Sequence, residues 1–305
     1  MQTVESVLRE SRQRIGERRS LVDNMSAKEL RSRMAQLRTV MFGRRRSREA
    51  FHPLDDEELA ILERTVRGYV VSGQLFVGGE LFMDGFYATI RHNLLCGDRS
   101  VGPEKFRHAS RAITEQIMLW CGGRIGYDIW DSGTTVMMPW RAGLAFADAA
   151  HELGLSSFYH YGAKRNEETL ETEKYFEEVP ESLLDLPEKK TVLLTDPMLA
   201  TGNTDLSALR RLGDLGVPQK RTFIIAVISA PEGIDQILQA YPDVRIFVGK
   251  NDECLNEDGY IVPGLGDYGD KYFEGLGREK VAEWRDGGVL NARAEKALLA
   301  RMAKG

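Results

Sequence analysis

The sequence predicts an α/β fold: a central, mostly parallel sheet flanked by helices, with a largely helical N-terminal extension. From about residue 132, short apolar runs are each followed by a glycine-bearing loop and a helical stretch, the order that builds parallel α/β units. The first hundred residues instead place apolar side chains at helical spacing. With 305 residues, 42% of them hydrophobic and 29% charged, the chain can bury a substantial core.

Residues 1 to about 50 read as two helical segments; the second opens with SAKE, where Ser26 caps the helix and Glu29 reaches back to complete a capping box. FHPLDDEELAILERTVRGYVV starts another helix, since Leu59, Leu62 and Val66 fall on one side of a 3.6-residue period. VSGQLFVGGELFMDG is open between a hairpin and a helix interrupted by glycines. GPEKFRHASRAITEQIMLWCG is helical, with Phe106, Ile113 and Ile117 in a stripe. Then TTVMMP precedes WRAGLAFADAAHELG, SSFYHYGA precedes KRNEETLE, TVLLTDP precedes MLATGNTDLSALRRLG, RTFIIAVISAPEG precedes IDQILQAYP, and VRIFVG leads into the final loops. Ligands of such sheets sit at the carboxyl ends of the strands, so the loops after these runs should hold the site.

A net charge of -5 gives no global attraction to nucleic acid or acidic lipid, although RQRIGERR and GRRRSR make the first fifty residues locally basic. No recognisable nucleic-acid-binding motif accompanies them, and no apolar run reaches the length of a membrane span. The expected partners are therefore small molecules, with neither nucleic acid nor membrane, and the expected setting is cytoplasmic. Cys96, Cys121 and Cys254 are too scattered for a disulfide framework or a zinc site, and the five histidines lack metal-ligand spacing, so no protein metal site is expected.

The richest stretch is TVLLTDPMLATGNTDLSALRRLG. Val192, Leu193 and Leu194 make a short buried strand, Asp196 lies at its carboxyl end, and Leu206, Leu209, Leu212 and Leu215 mark the buried stripe of the next helix. Thr201, Gly202, Asn203 and Thr204 then occupy the turn at a helix N-terminus, where free N–H groups and the positive dipole end favour a phosphate. Gly202 permits close approach and the threonine hydroxyls add donors. The loop has neither the lysine of GxxxxGK[ST] nor the spacing of GxGxxG; it reads as a monophosphate cradle, the alternative being that Asp196 and Thr204 only cap a helix.

DPMLATGNT resembles the phosphoribosyl diphosphate motif of the type I phosphoribosyltransferases, in the version of the uracil phosphoribosyltransferase family, where Asp-Pro (here Asp196 and Pro197) stands in place of two adjacent acids. LNEDGYIVPGLGDYGDKYFEG, RNEETLE and APEG followed by YPDV are similar to the same branch, and the resemblance runs from about Phe106 to Gly275. It implies the type I phosphoribosyltransferase fold, with residues 1–100 as a helical extension, 101–285 as the phosphoribosyltransferase domain and 286–305 as a helical tail.

The resemblance implies displacement of pyrophosphate from ribose C1 by a ring nitrogen of uracil, with Mg2+ accompanying the phosphoribosyl diphosphate and a homodimer as the assembly. Arg141 in PWRAG and Arg165 in KRNEETL would contact pyrophosphate. Asp196 would bind ribose hydroxyls, Thr201 to Thr204 would hold the 5'-phosphate, and Met198 and Ala200 would belong to the same phosphoribosyl diphosphate site. Ile261 and Gly266 would present backbone groups to the base. Tyr260 would pack near the ribose, and Asp267 and Tyr268 would lie beside the base. Four departures from the family pattern stand out: Asn203 where a second glycine is usual, PWRAG in place of PILRAG, DECLNEDGY without the glycine before LN, and the short GGRIGYDIWDSG where the family often carries a β-arm. Two other readings stay open: a transferase for another pyrimidine or small azaheterocycle, and a noncatalytic nucleotide sensor.

Overall fold

The computed structural model describes residue 13 and residues 17–43, 54–78, 103–125, 133–165 and 172–273. The GRRRSR arm, Cys96, most of GGRIGYDIWDSG and the tail 286–305 lie outside the described residues.

Ten strands and eight α-helices are described. The helices are α1 (Ala27–Gly43), α2 (Asp56–Val71), α3 (Pro103–Ile125), α4 (Ala147–Glu152), α5 (Glu181–Leu184), α6 (Asn203–Asp214), α7 (Pro231–Ala240) and α8 (Tyr268–Phe273). The main-sheet strands are β1 (Leu75–Val77), β2 (Thr134–Trp140), β3 (Phe158–Arg165), β4 (Thr172–Glu178), β5 (Thr191–Thr195), β6 (Met198–Leu199), β7 (Thr222–Ser229) and β8 (Arg245–Asn251); β9 (Cys254–Leu255) and β10 (Ile261–Val262) form a separate hairpin. The sheet order is β1-β8-β7-β5-β2-β3-β4, with β6 beside β7. Every pairing in it is parallel except β3 with β4. The mostly parallel α/β architecture expected from the alternating runs is therefore the observed one.

Period-2 alternation decides which layer each residue joins. Val192, Leu194, Ile224, Ile246 and Val248 pack with α1, α2, α6 and α7 on one face. Val136, Met138, Leu193, Ile225 and Phe247 pack with α3 and α4 on the other. Because both faces are covered, β7 is buried along its full length and reads as the continuous apolar run TFIIAVIS.

At α1 the Glu29 N–H donates to Ser26 Oγ (3.2 Å), which is the expected cap. At α2 a full capping box forms: Glu58 N–H donates to Asp55 Oδ1 (2.9 Å) and Asp55 N–H to Glu58 Oε2 (3.0 Å). Met34, Leu37 and Met41 of α1 and Leu62 and Val66 of α2 join the same core cluster as the sheet.

Two expectations are corrected. Within VSGQLFVGGELFMDG, residues 75–77 form neither a hairpin nor a helix; β1 pairs in parallel with β8 and so covers that edge of the sheet. Its short LFV core follows a Gly73 turn, and the strand exists because β8 offers an unpaired edge, information that is not local. The second concerns KRNEETLE, expected as the helical stretch after its strand: Lys164 and Arg165 belong to β3 itself, residues 166–171 lie outside the described residues, and from Thr172 the chain runs as the antiparallel β4. TEKYFEE carries its charges because it is an exposed edge strand, and that composition hides its strand character.

Candidate active site

The carboxyl ends of β2 and β5 and the start of α8 converge on one cleft of about 260 Å³. Arg141, Asp196, Thr204 and Asp267 all line it, together with Trp140 and Gly269. Four residues chosen from three separate motifs thus meet where parallel-sheet geometry places ligands.

Asp196 follows β5 directly and is half-buried. Its Oδ1 accepts the Met198 N–H (3.1 Å), which fixes the turn of DPM. Gly202 then takes a left-handed backbone (φ 75°) as the N-cap of α6. Gly202 has no side chain with which to cap this helix, and the Asn203 N–H makes only a long hydrogen bond to Thr201 Oγ1 (3.5 Å), so the N-terminal face can take an anion. Asn203, the departure from the family glycine, is the first helical residue and needs no left-handed conformation. Its Oδ1 accepts from Gln236 Nε2 (3.0 Å), which ties it to α7.

Asp205 is the functional candidate that the sequence reading missed. It is 1% exposed, and one of its carboxylate oxygens, Oδ1, has no hydrogen-bond partner. Its carboxyl group is hydrogen-bonded to that of Asp196. Burial raises the Asp196 carboxyl to about 6, partly offset by the Met198 N–H and by Asp205. Burial, together with the charge of Asp196, raises Asp205 well above the ordinary carboxylate range. The signal was present in the sequence: Asp205 stands four residues before Leu209 on the buried stripe, an acid on an apolar face.

Arg141 follows β2 and is 60% exposed, and its Nη2 donates to Asp270 Oδ1 (2.8 Å). An exposed pair of this kind is worth at most about 1 kcal/mol, so the guanidinium can exchange Asp270 for a stronger anion. Trp140, beside it, donates from Nε1 to His160 Nδ1 (3.2 Å) and packs against Phe176. Arg165 ends β3 opposite Thr172 of β4, and its side chain lies outside the described residues.

The hairpin of β9 and β10 is closed by Asn256, whose Oδ1 accepts the N–H groups of Asp258 (3.1 Å) and Tyr260 (2.9 Å). It lies next to the turn of Thr201 to Thr204: a Cβ added to Gly259 would sit 3.7 Å from Thr201 Cγ2. Tyr260 is exposed, whereas Ile261 is buried in β10. Gly266 is exposed with φ 79°. Asp267 is exposed, and its Oδ1 accepts the Asp270 N–H (2.7 Å), fixing the first turn of α8. Tyr268 is 1% exposed, with its ring against Phe106 and its hydroxyl hydrogen-bonded to Ser110, so its side chain points into the core rather than the cleft. Met198 and Ala200 form the backbone between Asp196 and Thr201. Among the described residues no cluster of three or more His, Cys, Asp or Glu side chains is placed to hold a metal ion, and no helix is long and apolar enough to cross a membrane.

Residues 129–275 match the uracil phosphoribosyltransferase family. A uracil phosphoribosyltransferase of Fervidobacterium nodosum is 36% identical over 201 residues, which cover 60% of this chain and 94% of that protein. The chain belongs to the uracil phosphoribosyltransferase family. Another member, a uracil phosphoribosyltransferase of Wolinella succinogenes, is 45% identical over 148 residues, 48% of this chain and 68% of that protein. Among solved structures, the AQ2163 protein from Aquifex aeolicus shares the fold with a TM-score of 0.52 and 31% identity, over 60% of this chain and 93% of that one. As a member of the family, the chain has the type I phosphoribosyltransferase fold and is an enzyme of that reaction class.

Proposed function

We propose that the protein transfers the 5-phosphoribosyl group from phosphoribosyl diphosphate to a ring nitrogen of uracil, giving UMP and pyrophosphate. The observation that carries this reading is the single cleft that Arg141, Asp196, Thr204 and Asp267 share.

The open N-terminus of α6, with the Thr201 and Thr204 hydroxyls, suits the 5'-phosphate. Asp196 binds the ribose hydroxyls, and its negative charge favours the cationic character that develops at C1 as the C1–oxygen bond breaks. Arg141 gives up Asp270 for the departing pyrophosphate, and Arg165 is assigned the same ligand. The ring nitrogen forms the new bond to C1 and loses its proton; Asp267 is the carboxylate at the cleft available to accept it. Ile261 and Gly266 supply backbone groups to the base edge, with Tyr260 over the ribose.

Mg2+ suits a site of this kind, because it prefers one or two carboxylates plus substrate phosphates to a cage made only of protein, and Asp196 and Asp267 are the carboxylates lining the cleft. When bound, it offsets charge on the leaving diphosphate. The reading carries with it a homodimer, implied by the family resemblance, and a cytoplasmic setting, with which the free thiols of Cys121 and Cys254 agree.

The test is pyrophosphate release by the purified protein with phosphoribosyl diphosphate and Mg2+, with and without uracil, followed by mass analysis of the product. Uracil-dependent release with UMP is the expected result. Trp140 at the cleft, in the altered PWRAG loop, favours one second reading, a different small azaheterocycle as acceptor. Release that depends on such a base and not on uracil would establish it.

A further inference from the structure

Helix α7 is held from two sides. Toward the site, Gln236 Nε2 donates to Asn203 Oδ1 (3.0 Å), and a Cβ on Gly233 would lie 2.3 Å from Ala200 O, so the helix backbone rests directly on the phosphate loop. Toward the N-terminal layer, the fully buried Asp235 accepts a bidentate pair from Arg38 of α1, Nε to Oδ2 and Nη2 to Oδ1 at 2.8 Å each. Tyr69 of α2 donates its hydroxyl to Asp235 Oδ1 (2.7 Å) and accepts from Gln239 Nε2 (2.7 Å). Asp235 and Gln236 are consecutive, so the residue fixed by the N-terminal layer adjoins the residue that fixes the loop.

From this arrangement we infer that Arg38 and Tyr69 are positioning residues for the phosphate loop, acting through Asp235 and α7 to hold Thr201 to Thr204 in their binding geometry. The inference rests on the reading of that loop as a phosphate site. The N-terminal layer is then part of the substrate-binding apparatus, although none of its described residues lines the cleft. A fixed loop loses less conformational freedom when the ligand binds, so loosening α7 should weaken phosphoribosyl diphosphate while sparing the base.

Removing Arg38 would strand a buried carboxylate and risk unfolding the chain, so the test uses milder changes: Tyr69→Phe, Gln236→Leu and the double variant in the full chain. Two quantities are measured well below the melting temperature. One is the Kd for phosphoribosyl diphosphate with Mg2+, by calorimetry; the other is hydrogen exchange of the 200–206 amides without ligand. Each single variant should raise Kd three- to tenfold and speed exchange in the loop. The double variant should do less than the product of the two, and the KM for uracil should stay within twofold. Wild-type Kd and wild-type loop exchange in both variants, even with a lowered melting temperature, would overturn the inference and leave the layer a merely stabilising role. If the wild-type protein fails to bind phosphoribosyl diphosphate while Tyr69→Phe still speeds loop exchange, the mechanical link stands and the functional reading falls.

Discussion

Replacing Asp205 tests the electrostatics of the cleft without touching a residue that lines it. Burial drives both carboxyls of the Asp196–Asp205 pair upward, and Asp205, the more deeply enclosed and pushed further up by the charge of Asp196, is the member of the pair placed to donate toward Asp196. Asp196, raised to about 6, is then mostly ionised at pH 7. A hydrogen bond to a charged group is worth about 1.5–3 kcal/mol, or about one to two pH units. Asp205→Ala removes that donor and should shift the acidic limb of the pH profile of kcat/KM for phosphoribosyl diphosphate upward by about one unit or more. Asp205→Asn keeps an N–H donor and should leave the limb near that of wild type. The assay is kcat/KM from pH 5 to 9 for the three proteins, with folding checked by circular dichroism. An alanine profile that superimposes on wild type would refute the pairing. The same pair makes stability depend on pH. Native pKa values above the unfolded ones mean that the native state holds extra protons from about pH 4 upward, at Asp196 up to about pH 6, so the pair's contribution is full below about pH 4 and is lost as pH rises above it. Asp205→Asn should therefore gain stability relative to wild type as pH rises from 4 to 7, as read from urea midpoints.

Arg141→Ala, which loses only an exposed ion pair with Asp270, should leave the urea midpoint essentially unchanged while lowering kcat/KM for phosphoribosyl diphosphate about ten- to hundredfold; equal activity would remove Arg141 from the site. Glu177 is held down to about 2 by hydrogen bonds from Arg211, Lys174 and Tyr159 that outweigh its desolvation, so Glu177→Gln should cost about 1–2 kcal/mol at pH 7 and progressively less as pH falls through the acid range, measured by urea unfolding. Gly264→Ala would place a Cβ 1.9 Å from Ile261 O, so it should destabilise the protein by about 1–3 kcal/mol in thermal melts and weaken base affinity before phosphate affinity.

The α/β half was legible because its signals are local. TVLLT and TFIIAVIS are buried on both faces and read as continuous apolar runs, and the helix after ATGNT shows its stripe at 3.6-residue spacing. Arg141, Asp196, Thr204 and Asp267 could be chosen because each stands at a strand end or in a loop whose motif is itself contiguous. What escaped the sequence depends on distant partners. β4 is a strand because β3 presents an edge, β1 because β8 does, and Asp205 matters because folding sets it against Asp196. Asp235 is one acid in the helical run IDQILQAYP, and nothing near it in the chain announces Arg38 or Tyr69.

Those distant pairings bear on how the chain acquires its structure during synthesis. Arg38 precedes Asp235 by 197 residues. At ribosomal speeds of about 5–20 residues per second, roughly 10 to 40 s separate the emergence of the two partners. Until β5 and β7 are made, late in that interval, Met34, Leu37, Leu62 and Val66 lack the sheet residues Val192, Leu194 and Ile224 of their core, and throughout it the guanidinium of Arg38 lacks Asp235. Contacts of such long sequence separation form slowly, because the intervening loop must close before they contribute. The nascent N-terminal helices are thus the segment of this protein with the longest exposure to chaperones and to neighbouring chains, and they reach their final packing only after the phosphate loop and α7 have been made.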